Sequence, residues 1–279
     1  MTAWAPGSLA PAPGPASESA MLRAQTLMEL RLTLRRGESL LLVAVIPLVL
    51  LALFALLPLV DLGSPAGSTP GSSAGGPSGS PRGSTAARAD ALVPGILALA
   101  VMSTAFTGQA IATGFERSYG VLKRLGTTAL PRRLLLTAKT LAVLAVEVGQ
   151  VAAIAALGLA LGWSPAWSGV PAALLLLLLG TAAFSGLGLL MAGTLRAEAT
   201  LAAANLVYVL LLVVGGVIFP LGVFPDGAAE VLGLSPLAAL ATGLREALGD
   251  GALTLGPAAV LAVWAVGSLS LAARTFRWE

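Results

Sequence analysis

Long apolar runs dominate this chain, and short polar or charged stretches punctuate them. A helix that crosses a bilayer needs roughly 20 mainly apolar residues. Six segments meet that requirement, at about 38–60, 91–115, 137–162, 169–195, 199–221 and 253–273. The first, SLLLVAVIPLVLLALFALLPLV, carries Pro47 and Pro58, which lipid-embedded helices tolerate better than soluble ones. The fourth holds Gly180, Ser185, Gly186 and Gly188, small residues that let a second helix approach closely. The expected fold class is an all-α membrane protein with six transmembrane helices.

The polar stretches differ in kind. Residues 1–20 are rich in Pro, Ala and Ser and lack the basic start and apolar core of a signal peptide, so they read as a disordered cytosolic tail. Residues 61–90 are rich in Gly, Ser and Pro and read as a disordered outer loop. Residues 222–250 are too apolar for a free loop and too interrupted to span, which predicts short outer re-entrant helices. There PLAALATGLREAL places Leu237, Leu240, Leu244 and Leu248 on one side and turns Arg245 and Glu246 away. Ahead of the first span, Leu27, Leu30 and Leu34 recur beside Arg31 and Arg35. An amphipathic helix on the inner surface fits this spacing, and so does a basic flank that merely sets topology.

Charge orients the array. Thirteen of the sixteen Lys and Arg residues fall before the first span, or after the second, fourth and sixth. The opposite side holds only Arg82, Arg88 and Arg245. Positive residues mark the cytoplasmic side, so both termini are expected there. Trp163 and Trp167 bracket a tight outer turn, as interfacial aromatics do. Two Lys against fourteen Arg in an Ala-, Gly- and Leu-rich chain points to a GC-rich bacterial genome and hence a bacterial cell membrane.

Composition removes much chemistry. Only 10% of residues are charged, against about 25% in soluble domains. There is no Cys and no His, which excludes thiolate catalysis, imidazole bases and ordinary zinc sites. The net charge of +3 is explained by residues flanking spans, so nucleic acid is not an expected partner. A phosphate-cradling loop needs Lys directly after Gly, but Lys123 follows Leu122 and Lys139 follows Ala138. Asp61, Asp90, Asp226 and Asp250 all lie at or outside the outer boundary, so a paired intramembrane aspartyl site is not expected. No catalytic, metal or cofactor site is expected on this chain.

Glu147 is the one acid well inside a span, with Gln150 on the same face. An intramembrane carboxylate costs about 2.5–3.5 kcal/mol or more and faces the protein interior. It belongs either to a translocation path or to an interhelical contact, with Asn205 and Tyr208 of the fifth span as partners. The inner loop GFERSYGVLKRLGTTALPRR, 114–133, predicts a short helix that starts near Glu116 and ends in Lys123 and Arg124. Gly126 would cap it, and Thr127 or Thr128 would begin the next helix near Pro131. Setting topology needs the charges alone. Tyr119 and the glycine breaks point further, to docking on a soluble partner.

Two stretches together resemble the permease subunit of type-2 ABC exporters, the group that includes daunorubicin-type drug-efflux permeases. One is VPGILALAVMSTAFTGQAIATGFERSYGVLKRLGTTALPRRLLLTAKTLAVLAVE (93–147); the other is GGVIFPLGVFPDGAAEVLGLSPLAALATGLREAL (215–248). The resemblance implies a coupling helix of Glu116, Arg117, Tyr119, Gly120, Leu122, Lys123, Arg124 and Leu125, seated on a separate ATPase subunit that binds ATP and Mg. It also implies a second permease copy and export of a hydrophobic or amphipathic molecule. The 61–90 loop departs from the family's pattern. Export of a lipid-linked glycan and a non-transporting membrane scaffold or sensor are the other readings.

Overall fold

The computed structural model describes residues 16–35, 37–57, 81–217 and 226–275, without the side chains of 38–44, 81–84 and 226. Every regular element among them is helical. In chain order these are α1 (Glu18–Arg35), α2 (Gly37–Leu56), α3 (Pro81–Val101), a π-helical segment (Met102–Gly108) and α4 (Gln109–Ser118). Then follow α5 (Val121–Gly126), α6 (Arg132–Ala160), a 3-10 turn (Trp167–Gly169), α7 (Val170–Thr194), α8 (Ala197–Val214), α9 (Asp226–Gly233), α10 (Pro236–Asp250) and α11 (Leu255–Thr275). Five stretches are long and apolar enough to cross a membrane: 85–118, 132–160, 167–194, 197–214 and 255–275. α9 and α10 meet at an 89° bend and would make a sixth if taken as one broken span. α2 coincides with the first expected span, and its Val45–Leu56 stretch forms a shorter apolar helix.

Several boundaries differ from the sequence expectation. Residues 1–15 lie outside the described part, but the expected tail ends early, because Glu18 already opens α1. Residues 58–80 are likewise outside it, whereas 81–90, expected as loop, form the first turns of α3. Pro81 suits a first helical position, and the Ala-rich STAARADAL that follows propagates well. Asp90 fixes this extension by accepting from the Ser164 backbone N–H at 2.8 Å. The fifth span closes at Val214 rather than at 221, and Phe219 and Pro220 are outside the described residues.

Lipid is as apolar as Leu, so no hydrophobic force drives spans together; close packing and interhelical hydrogen bonds must do so. α7 is the hub. A Cβ on Gly186 would lie 2.1 Å from Ser268 Oγ and 2.8 Å from the backbone N of Leu269, so α11 rests directly on the α7 backbone. On its other side a Cβ on Gly188 would meet the Phe106 carbonyl at 2.8 Å, which brings the π-helical segment equally close. Phe106 and Phe184 fill the seam, with ring centroids 6.5 Å apart. Ser268 Oγ donates to the Ala183 carbonyl at 3.1 Å, and Ser185 Oγ to Gln109 Oε1 at 2.8 Å. Leu237, Leu240 and Leu244 of α10 are completely buried in the same core.

Two neighbours of that core correct the sequence reading. Arg245 is not turned away; it is half-buried and donates to the Gly216 carbonyl at 2.7 Å, tying α10 to the end of α8. Trp163 is buried against Gly158, while Trp167 is 70% exposed, so only one of the pair is placed as an interfacial aromatic. α1 packs a polar side on the protein, with Gln25 and Glu29 buried, while Leu27 and Leu34 face outward.

Replacing Gly186 by Ala drives a methyl into α11 and is expected to cost about 1–3 kcal/mol, as overpacking of a filled core does. A lowered midpoint of thermal unfolding in detergent checks it; an unchanged midpoint would contradict the contact.

Candidate functional site

The inner loop folds differently from the single short helix expected. α4 continues through Glu116 and Arg117 to Ser118, and the chain then turns at Gly120, whose φ of 73° favours glycine. Only after that turn does α5 begin, at Val121. Thr127 and Thr128 do not open α6. Their hydroxyls donate back to the carbonyls of Arg124 and Leu125, at 2.8 and 2.6 Å, and close α5 instead. Pro131 takes the N-cap position of α6.

This elbow has an inner and an outer face. Leu122 is fully buried against Leu135, Leu136, Leu189 and Ala272, with Leu125 packed on the same cluster. The start of α6 and the ends of α7 and α11 therefore meet at the elbow. Tyr119, Lys123 and Arg124 point outward, Tyr119 being 75% exposed and its ring stacked on Phe115. Glu116 and Arg117 do not share that outer face. Arg117 donates to the carbonyls of Ala192 at 3.0 Å and Leu195 at 2.6 Å, closing the C-terminus of α7, where a cation is favoured.

Glu116 is buried, and its partner is the feature the sequence did not announce. Lys139, from the second turn of α6, is 4% exposed and sits between two acids of other helices. Its Nζ donates to Glu116 Oε2 at 2.5 Å and to Glu29 Oε2 at 3.0 Å. Gln25 Nε2 donates to Glu29 Oε1 at 2.9 Å, extending the network along α1. Three helices, α1, α4 and α6, are thus held on one ammonium. An exposed pair, Arg133 with Glu18, joins α1 to α6 nearby and adds little by comparison.

The network borders an open cavity of about 860 Å3 lined mainly by α1, α2, the π-helical segment, α4, α6 and α8. Glu29, Glu116 and Lys139 line it together with Tyr119 and Val121 of the elbow. Ser103, Asn205 and Tyr208 line it as well. Thirteen residues separate Ser103 from Glu116, so the cavity follows one helix for about 20 Å at 1.5 Å per residue. Apolar atoms make up most of the wall, with Ile46, Pro47, Val143 and Val146 among them, although polar and charged residues are interleaved with these.

The four intramembrane polar residues of the sequence reading separate here. Asn205 and Tyr208 belong to the cavity, with Tyr208 Oη 3.3 Å from Ser103 Oγ. Glu147 and Gln150 do not line it. Glu147 accepts a hydrogen bond from Thr181 on α7, not from Asn205 or Tyr208. Gln150 Oε1 accepts from Thr104 of the π-helical segment at 2.9 Å. Together with Gln109 and Ser185 they form a polar layer that joins three spans.

The family model described as ABC-2 type transporter matches residues 22–248, from α1 to the end of α10. No curated protein and no solved structure matches the chain. The matched region contains the elbow, the ion network and the cavity. The chain belongs to the ABC-2 type transporter family, the multi-pass membrane permease subunits of ABC exporters, which normally work with a separate ATPase subunit.

Proposed function

We propose that this chain is the permease of an ATP-driven exporter, of the drug-efflux kind, that moves a hydrophobic or amphipathic small molecule out of a bacterial cell. The observation that carries the reading is the shared wall of cavity and elbow: Glu116, Tyr119 and Val121 border the 860 Å3 space directly. Cavities of a few hundred to a thousand cubic ångströms with mainly apolar walls suit drug-sized ligands. A force applied to α5 therefore acts on the compartment where such a molecule would sit.

In this scheme six spans cross the inner membrane, with α2 the first and α9–α10 a re-entrant pair. Both termini and the elbow face the cytosol. The ATPase, which holds ATP and Mg, meets the outward face of α5 through Tyr119, Lys123 and Arg124. Leu122 and Leu125 transmit its closure to the starts and ends of the spans beneath. Glu116 and Arg117 act one layer further in, as anchors rather than contacts. Through Lys139, α1 and the start of α6 move with the elbow as one body. α8 presents Leu206, Val209 and Leu210 outward, a face for lipid or for a second permease copy. Lys139 is a positioning residue in this account.

Two outcomes are expected. Tyr119→Ala, Lys123→Glu and Arg124→Glu combined should weaken co-purification with the cognate ATPase at least tenfold without lowering the permease's melting midpoint; full retention of the ATPase contradicts the docking face. Lys139→Met leaves Glu29 and Glu116 buried without that cation and should cost about 3–5 kcal/mol of stability. The neutral triple Glu29→Gln, Glu116→Gln, Lys139→Met should recover most of the loss in thermal unfolding, yet transport less substrate per ATP hydrolysed. Full transport by the folded triple variant would remove Lys139 from coupling.

A further inference from the structure

α1 carries two acids and three arginines, and the fold sorts them onto different sides. Glu29 is drawn to Lys139 and Glu18 to Arg133, both on α6. At about 100° per residue, Glu18, Gln25 and Glu29 form one narrow stripe along the helix. The rotation of α1 about its own axis is therefore set by α6. The side left over carries Arg23, Arg31 and Arg35, all exposed, and no acid. Among the described residues, neither Arg31 nor Arg35 has a hydrogen-bond or ion-pair partner.

Unmatched arginines are ordinary on a surface that meets water, but these two stand among large apolar side chains. Leu27, Met28, Leu32 and Leu34 are between 37% and 56% exposed. Ala24, Leu27, Met28 and Leu32 join Arg31 and Arg35 in lining an open depression of about 440 Å3. Water alone leaves that hydrocarbon without a partner, and hydrocarbon alone leaves the cations without one. The headgroup layer of a bilayer suits both, because long basic side chains lay their stems along the acyl boundary and hold their charge at the phosphates. The place of α1 in the chain agrees. Arg35 stands two residues before Gly37, where α2 begins, and α2 exposes Ile46, Val49 and Leu53 as a lipid-facing span does.

We infer that the outward side of α1 is a binding site for an anionic phospholipid, whose phosphate lies between Arg31 and Arg35 and whose acyl chains run against Leu27, Met28 and Leu32. Residues four apart on a helix have Cβ atoms about 5–6 Å from each other, so both guanidinium groups can close on one phosphate. A zwitterionic lipid offers the same phosphate with an ammonium beside it, which two unmatched arginines disfavour. The site therefore selects by headgroup charge. It goes beyond the exporter reading and does not depend on what the cavity carries.

The test uses the full-length chain without its ATPase, with Leu34→Cys as its one thiol, labelled with bimane and placed in phosphatidylcholine nanodiscs. A minor fraction of the lipid carries brominated acyl chains, either on phosphatidylglycerol or on phosphatidylcholine. Brominated phosphatidylglycerol should quench the label at least threefold more strongly than brominated phosphatidylcholine. With Arg31→Gln and Arg35→Gln added, the two lipids should quench alike while the melting midpoint stays where it was. Equal quenching before those substitutions would make α1 a general lipid contact and overturn the inference. No quenching by either lipid would assign this side to water or to a soluble partner and overturn it as well, and so would a preference that survives both glutamines. The first comparison needs no arginine substitution, so it decides even where the glutamine variant fails to fold.

Discussion

A lysine ammonium cannot be buried among apolar helices unless acids come with it. Lys139 takes two, Glu29 from α1 and Glu116 from the last turn of α4, and so fixes where three elements begin or end. The cost of separating them is high because each ion has given up water to be there. Much of the elbow's geometry follows. With Glu116 drawn inward, α4 must run on to Ser118, and the reversal falls at Gly120, where no side chain would be strained. α5 is then left with Leu122 inside and its cations outside.

Beyond that anchor the molecule is organised by its solvent. Large side chains such as Val148, Val263 and Val266 are more than 60% exposed, which would destabilise a protein in water and is ordinary in lipid. Helix association then depends on how closely backbones approach and on what polar groups exchange. α7 does both, through Gly186 and Gly188 on opposite sides and through Thr181 and Ser185 one turn apart. The π-helical segment facing it turns Thr104 toward α6 and leaves Thr107 on the cavity wall.

Much of the fold was legible because lipid imposes a simple rule: an uninterrupted apolar run of sufficient length is a helix. Five of the six runs read from the sequence reappear as long apolar helices, and the interruption before Pro236 reappears as a bend. Boundaries were less legible, since composition alone does not tell where an Ala-rich flank such as 81–90 joins a helix. The inner loop was only partly legible. Exposure of Tyr119, Lys123 and Arg124 follows from local amphipathicity around Leu122, which a single segment reveals. The fate of Glu116 does not, because its partner lies 23 residues on and the second acid 110 residues from Lys139. The available signal was weak: two acids and a lysine in segments where apolar or arginine residues prevail. The π-helical turn left no comparable mark in the sequence.

The central claim is that Lys139 makes α1 and the elbow a single moving body. Because the chain contains no Cys, spin labels can be attached at Arg31→Cys on α1, Lys123→Cys on α5 and Gly249→Cys on α10 without a competing thiol. Pulsed electron–electron distance measurements on the complex, with and without ATP trapped in the ATPase, give the direct answer. The account predicts an unchanged Arg31–Lys123 distance while the Lys123–Gly249 distance shifts. A change between Arg31 and Lys123 on ATP binding would contradict it.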